Sequence, residues 1–335
     1  MDKIPMKPLR ISRRDFLQTI LAAGLFSGLV YPEPVFGQAS STDVQDDKAR
    51  GSRMDDGRPS ATALGAAFLR AAHQVLDQPR ILEDPIALRI LGSEGESALQ
   101  SYPERYGAGR ALRAFIVLRS RYAEDELVRA VQAGVRQYVI LGAGLDTFPY
   151  RNPHPVSRLR VYEVDHPATQ AWKRRQLQQA KIAIPDSVTY TPIDFEKQTL
   201  GDGLGSAGFN KKEPAFFSML GVVIYLTKSA VLGTLKFVAS LPSGSEIVFD
   251  YCVPPSLLPE GPRSAHESVA NRAAALGEPW ITYFDPSVLA GELRHMGFGL
   301  IEDTGSQEAN QRYFKDRSDG LSISGAGRLM KARVC

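Results

Sequence analysis

Cysteine is scarce in this chain of 335 residues, where only Cys252 and Cys335 occur. Two cysteines are too few for a disulfide framework or a structural zinc site. The five histidines show no metal-ligand spacing either. The sequence therefore predicts neither a disulfide-stabilised domain nor a metal centre.

The chain also lacks a marked excess of one charge. Its net charge is +3, and residues 1–39 supply two of those three positive charges. No basic stripe with interleaved aromatic side chains is present, so a nucleic-acid partner is not favoured. With 43% hydrophobic residues, the chain is long enough to bury a large core. Composition thus indicates an enzyme-sized globular protein and leaves its oligomeric state open.

The longest uncharged apolar stretch, at residues 16–32, is shorter than the roughly 20 residues that a membrane helix needs. It begins at the end of SRRDFL (residues 12–17), a twin-arginine export pattern. We predict a signal peptide over residues 1–39, which would direct the protein to the periplasm or cell envelope, and a flexible linker over 40–58. Membrane contact would come only through an uncleaved signal. The alternative is a cytoplasmic protein with an N-terminal extension.

The segment QYVILGAGLD, which starts at Gln137, joins an apolar run to a Gly-x-Gly turn. Such a run is typical of a parallel strand buried on both faces. Gly142 and Gly144 can adopt positive φ and let the backbone approach a ligand. The segment predicts the start of a nucleotide-binding α/β domain. A turn that only packs the next helix against the sheet is the alternative.

Two further predicted strands end at carboxylates. Residues 159–164 lead to Asp165, about 20 residues after the glycines, where nucleotide folds place an acid that binds ribose. Residues 188–193 lead to Asp194 and Phe195, which suit the amine and the ring of an adenine. Each acid could instead cap the N-terminus of a helix.

The third glycine of the dinucleotide fingerprint is absent, because Leu145 follows Gly144 and no small residue stands at the expected place. A pyrophosphate cradle is therefore disfavoured. S-adenosylmethionine, which carries adenine and ribose without phosphate, fits better. A nicotinamide-dependent oxidoreductase remains an alternative.

Eight blocks of sequence between Ser60 and the C-terminus resemble, in the same order, those of the leucine carboxyl methyltransferase-like S-adenosylmethionine-dependent methyltransferases. That family includes polyketide-type O-methyltransferases. The blocks are SATALGAAFLRAA at Ser60, EDPIALRILG at Glu83, RSRYAEDEL at Arg119, QYVILGAGLDTFPYR at Gln137, VYEVDHPATQAWKRRQL at Val161, PIDFEKQTL at Pro192, SMLGVVIYL at Ser218 and GEPWITYFDPSVLAGELRHMGF at Gly277.

The resemblance implies an α/β fold of the Rossmann-like class I methyltransferase type. Such a fold has a mainly parallel sheet with helices on both faces, an antiparallel edge and an N-terminal helical cap. Here the cap would cover residues 59–117. The methyltransferase domain would cover residues 118–335, with a lid insertion near residues 254–279.

The resemblance also implies roles for individual residues. Arg119 would hold the carboxylate of the cofactor, and the turn with Gly142 and Gly144 its methionine part. Asp165 would hold the ribose hydroxyls, and Asp194 with Phe195 the adenine.

The implied reaction is methyl transfer to an oxygen, carboxylate or hydroxyl, of a small-molecule or peptide acceptor. A carboxylate needs no base, whereas an alcohol or phenol does. Arg121, Tyr225 and His266 are candidates for contacting this acceptor. Relatives usually carry a glutamate where this chain has Leu220, so a degenerate, non-catalytic envelope protein that still binds the cofactor is an alternative.

Overall fold

The computed structural model describes residues 60–100, 107–194 and 198–335. The helices are α1 (Ala61–Leu76), α2 (Gly92–Gln100), α3 (Gly107–Gln132), α4 (Pro167–Gln179), α5 (Leu200–Ser206), α6 (Lys228–Ala239), α7 (Glu260–Ala275), α8 (Pro286–Met296) and α9 (Ser306–Tyr313). The strands are β1 (Gln137–Leu141), β2 (Arg160–Asp165), β3 (Val188–Pro192), β4 (Ala215–Met219), β5 (Glu246–Cys252), β6 (Phe298–Thr304) and β7 (Gly327–Val334).

The strands form one seven-stranded sheet in the order β3-β2-β1-β4-β5-β7-β6. Strands β1 to β5 pair in parallel, and β7 lies antiparallel between β5 and β6. The chain runs outward from β1 to β3 and then continues at β4 on the other side of β1. This reversal opens a crevice at the carboxyl ends of β1 and β4. The predicted mainly parallel sheet with an antiparallel edge is confirmed.

Side chains alternate between the two faces of the sheet, as the pleat of a strand requires. Tyr138 and Ile140 of β1 belong to a buried cluster with residues of α3. Val139 and Leu141 belong to a second cluster, which includes residues of α6 and α8. Helices therefore cover both faces, and the buried strands read as continuous apolar runs.

The predicted helical cap contains α1, α2 and the first part of α3. Its buried side chains, such as Phe68 of α1, cluster with Trp172 and Leu177 of α4. Helix α3 continues without a break through residues 117 and 118, where the boundary between cap and methyltransferase domain was expected. The cap and the sheet thus share one helix.

The last strand is shifted along the chain from where the sequence places it. The sequence predicts closing strands at residues 298–302 and 321–331, but the second of them, β7, is Gly327–Val334. Before β7, the backbone of Ile323 bonds to a side chain and not to a neighbouring strand. The amide of Asn310 accepts the N–H of Ile323 and donates to its carbonyl, both at 2.9 Å. Asn310 lies in α9, a helix whose polar sequence gave no apolar period.

The predicted signal peptide (1–39), the linker (40–58) and Phe195 lie outside the described residues. Within the described part of the chain, the helices are too short or too polar to cross a membrane.

Candidate functional site

A cavity of about 690 Å³ lies at the carboxyl ends of the parallel strands. This volume is within the usual range for sites that bind small molecules. Helix α7 and residues 276–281 form its cover, which we call the lid side, and the start of helix α1 lies against them. The predicted insertion near residues 254–279 therefore contains a helix that covers the site.

The turn after β1 forms the floor of the cavity. Gly142 and Gly144 have φ of 65° and 44°, a region that residues with a side chain rarely adopt. A Cβ at Gly142 would lie 2.3 Å from Cγ2 of Val222, so only glycine fits there. The backbone N–H of Gly144 donates to Oδ2 of Asp165 at 2.5 Å.

Asp165, the last residue of β2, lines the same cavity. Its carboxylate also accepts the backbone N–H of His166 at 2.7 Å. Burial raises the pKa of Asp165, and the two backbone N–H donors oppose that rise. The N-cap of α4 is His166, whose Nδ1 accepts from Ala168. Asp165 is therefore not the helix cap that the sequence left open.

Arg119, on α3, lines the same cavity. Its guanidinium donates to Oδ2 of Asp250 at 3.3 Å, and Oδ1 of Asp250 accepts the N–H of Gly221 at 2.5 Å. Sequence reasoning missed Asp250. Its signal was an acid in the middle of the apolar residues of β5, where a charge is costly to bury without a partner.

Asp194, directly after β3, also lines the cavity. The structure thus brings Arg119, Gly142, Gly144, Asp165 and Asp194 to one site. They come from separate parts of the chain and meet because parallel strands end at the same edge of the sheet.

Of the three candidates for the acceptor, Tyr225 and His266 line the cavity and Arg121 does not. Successive residues of an α-helix are rotated by about 100° around its axis. Arg121, two residues after Arg119 on α3, therefore points away from the site. It pairs with Asp125 at 2.8 Å on the exposed side and donates to the carbonyl of Ile81. The expected contact of Arg121 with an acceptor is therefore not supported by its position.

His266 belongs to α7 and is only 8% exposed, so it is a buried residue of a helix. Its ring lies 5.0 Å from that of Trp280 and 5.6 Å from that of Tyr283. Within the described residues, its Nε2 is buried and has no hydrogen-bond partner. Burial lowers the pKa of His266, which favours the neutral imidazole.

Tyr225 lies in a short 3₁₀ helix after β4, and its hydroxyl accepts from Nε1 of Trp280 at 3.2 Å. Burial raises the pKa of Tyr225 to about 12. The tyrosine therefore keeps its proton near neutral pH and can serve as a hydrogen-bond donor.

Glu278 fastens the lid side to the start of α1. Its carboxylate accepts the backbone N–H groups of Ala61 at 2.7 Å and Thr62 at 3.2 Å. The hydroxyls of Ser60 and Thr62 donate to it as well. A carboxylate at a helix N-terminus is stabilised by the unpaired N–H groups and the helix dipole. This contact joins residues more than 200 positions apart.

The sheet order, the glycine turn and the acids at successive strand ends define a Rossmann-like fold with a nucleotide-type site. A solved structure of a candidate methyltransferase from Thermobifida fusca YX shares this fold. Its TM-score is 0.51 and its sequence identity 17%, over 84% of this chain and 97% of that one.

Residues 63–239 match the family model described as leucine carboxyl methyltransferase. YktD of Bacillus subtilis strain 168, a candidate S-adenosyl-L-methionine-dependent methyltransferase, is 34% identical over 80% of this chain and 96% of its own length. FRAAL3718 of Frankia alni, described in the same terms, is 32% identical over 54% of this chain and 64% of its own length. The chain belongs to the leucine carboxyl methyltransferase family of S-adenosylmethionine-dependent methyltransferases.

Proposed function

We propose that this protein transfers the methyl group of S-adenosylmethionine to an oxygen atom of a small-molecule or peptide acceptor. One observation carries the proposal. Arg119, Asp165 and Asp194 line a single cavity that extends under an apolar lid side. The polar part suits a cofactor, and the apolar part leaves room for an acceptor.

The residues of the site match the chemical groups of the cofactor. The guanidinium of Arg119 suits its carboxylate, because such pairs form charge-assisted hydrogen bonds. The carboxylate of Asp165 can accept the ribose hydroxyls, and that of Asp194 the adenine amine. When bound, S-adenosylmethionine supplies a methyl group that is activated by a positively charged sulfur.

The task left to the protein is to orient the reactants and to keep water out. Fixed orientation can contribute up to roughly 7–11 kcal/mol to lowering the barrier. The fastening of the lid side by Glu278 serves both purposes, because it holds residues 277–281 against the start of α1. Methyl transfer then depends on the acceptor oxygen being nucleophilic.

Binding of S-adenosylhomocysteine tests the cofactor assignment. At 100 times its Kd, this ligand is expected to stabilise the fold by about 2.7 kcal/mol and so to raise the melting temperature. NAD at the same concentration is expected to have no effect, because the turn lacks the third glycine of a pyrophosphate cradle. A rise with NAD alone would instead favour an oxidoreductase. Thermal unfolding monitored by fluorescence makes the comparison.

A calorimetric titration with S-adenosylhomocysteine can test where the adenine binds. Asp194→Ala is expected to weaken S-adenosylhomocysteine binding by about 1–3 kcal/mol, because the adenine amine loses a carboxylate partner. Asp186→Ala is the matched control, since Asp186 is exposed and lies before β3, at the opposite end of that strand. Equal affinities of the two variants in calorimetry would rule out Asp194 as the adenine ligand.

We also propose that residues 1–39 direct export by the twin-arginine route, which carries folded proteins. A folded fluorescent reporter fused behind residues 1–40 is expected to leave the cytoplasm of a bacterium that has this route. Replacing Arg13 and Arg14 by lysine is expected to keep it inside. Retention of the reporter with both arginines intact would contradict the assignment.

A further inference from the structure

We propose that the acceptor is an uncharged hydroxyl group on an apolar, ring-shaped body, and that His266 accepts its proton. This inference rests on the proposed function and narrows it from an oxygen acceptor to an alcohol or phenol. It follows from the charges on the lid side, the apolar wall beside them and the surroundings of His266.

The lid side offers no cation to a carboxylate acceptor. Among the described residues that line the cavity, the arginines are Arg70 and Arg119, and no lysine lines it. Arg70 donates to the carbonyl of Leu145 at 2.5 Å, and Arg119 pairs with Asp250. The charged residue on the lid side is Glu278, which would repel a second carboxylate. An anionic acceptor would therefore be desolvated there without a partner, which is costly.

The wall beside Tyr225 is apolar. Leu220 lines the cavity and packs against the buried cluster around α3. Phe115, Val269 and Ile281 line the same cavity. With Trp280 and His266 they offer aliphatic and aromatic surface, which favours an apolar acceptor body with a ring.

His266 has the properties of a general base. More than nine tenths of this residue is buried, it lines the cavity, and its Nε2 has no partner within the described residues. Nε2 itself is closed off from solvent, so an acceptor hydroxyl reaches it only after the imidazole turns toward the cavity. A buried nitrogen without a hydrogen bond is unfavourable, which favours that contact. The lowered pKa keeps the imidazole neutral and able to accept a proton near pH 7.

The two other groups on this side are less suited to that role. Tyr225 keeps its own proton, because its pKa is raised to about 12. Glu278 uses both carboxylate oxygens to hold the start of α1.

The atoms and charges of the methyl transfer balance with these groups. The acceptor oxygen forms a bond to the methyl carbon while its proton passes to Nε2 of His266. The bond between the methyl carbon and sulfur breaks, and its electron pair stays on sulfur. The products are a methyl ether, neutral S-adenosylhomocysteine and a protonated His266, which returns its proton to water when the products leave.

Two probes of matched shape, 2-naphthol and 2-naphthoate, test the inference. With the protein saturated by S-adenosylhomocysteine at pH 7, we expect 2-naphthol to bind at least about tenfold more tightly, which corresponds to about 1.4 kcal/mol. With S-adenosylmethionine, the wild-type protein is expected to form 2-methoxynaphthalene. The His266→Phe variant is expected to lose about 100-fold or more of this rate, as for removal of a general base, at unchanged cofactor affinity.

Tyr283→Phe is the matched control, because Tyr283 contacts the ring of His266 without lining the cavity. It is expected to methylate 2-naphthol like the wild type. Four results would overturn the inference while S-adenosylhomocysteine still binds. The first two concern binding: 2-naphthoate binds as tightly as 2-naphthol, or neither probe binds. The other two concern the reaction: 2-naphthol binds without being methylated, or His266→Phe methylates it at an unchanged rate. Failure of S-adenosylhomocysteine to bind would refute the proposed function instead.

Discussion

Replacement of Arg119 by methionine is expected to weaken the binding of S-adenosylhomocysteine by about 100-fold, or about 2.7 kcal/mol. The variant loses a charge-assisted hydrogen bond to the cofactor carboxylate. It also leaves Asp250, whose side chain is 8% exposed, as an uncompensated negative charge beside that carboxylate. Both effects act in the same direction. Calorimetric titration of the folded variant measures the loss.

Arg121→Met provides a matched control for this prediction. It removes the same charge two residues away on the same helix, but from an exposed side chain that does not line the cavity. Its affinity should equal that of the wild type. If Arg119→Met also retained full affinity, the cofactor carboxylate would have to lie elsewhere in the cavity.

Replacement of Lys173 by methionine is expected to destabilise the fold by about 3–5 kcal/mol, the usual cost of removing one partner from a buried ion pair. Lys173 and Glu163 are 1% and 0% exposed, and their charged atoms lie 2.8 Å apart. The melting temperature should fall by on the order of 10 °C in a domain of this size. Arg174→Met, which changes the neighbouring exposed residue of α4, is expected to shift stability by less than about 0.5 kcal/mol.

The effect of Lys173→Met should also depend on pH. Burial raises the pKa of Glu163, and Lys173 opposes that rise. Without the lysine the pKa of Glu163 rises further, so the folded state binds a proton more readily than the unfolded state. Stability of the variant then falls as pH rises. The loss should be smaller at pH 5 than at pH 8, and a pH-independent loss would show that packing rather than charge is responsible.

Most residues proposed to bind the cofactor could be predicted from the sequence, because the patterns that identify them span only a few residues. A glycine turn after an apolar strand and an acid at the end of the next strand follow from chain geometry over a few residues. Parallel strands then bring these ends together. Gly142, Gly144, Asp165 and Asp194 meet in the cavity for this reason.

The lid side could not be predicted in the same way, because its contacts join distant parts of the chain. The carboxylate of Glu278 meets the start of α1, and His266 is buried between Trp280 and Tyr283. The sequence of residues 260–275 is rich in proline, serine and alanine. It predicts neither a helix there nor the burial of one face of that helix.

The sequence by itself determined the fold class, the cofactor class and the residues at the strand ends, since strand periodicity and turn chemistry are local properties. Only the tertiary structure decided which of two arginines on α3 reaches the cavity. Both side chains are long and positively charged, and both belong to the same sequence block. They differ in the direction in which they leave the helix, because Arg119 pairs with Asp250 and Arg121 pairs with Asp125. Tertiary packing alone also added Asp250 to the site and, among the residues that the structure describes, left Nε2 of His266 without a partner, because both depend on which distant elements surround them.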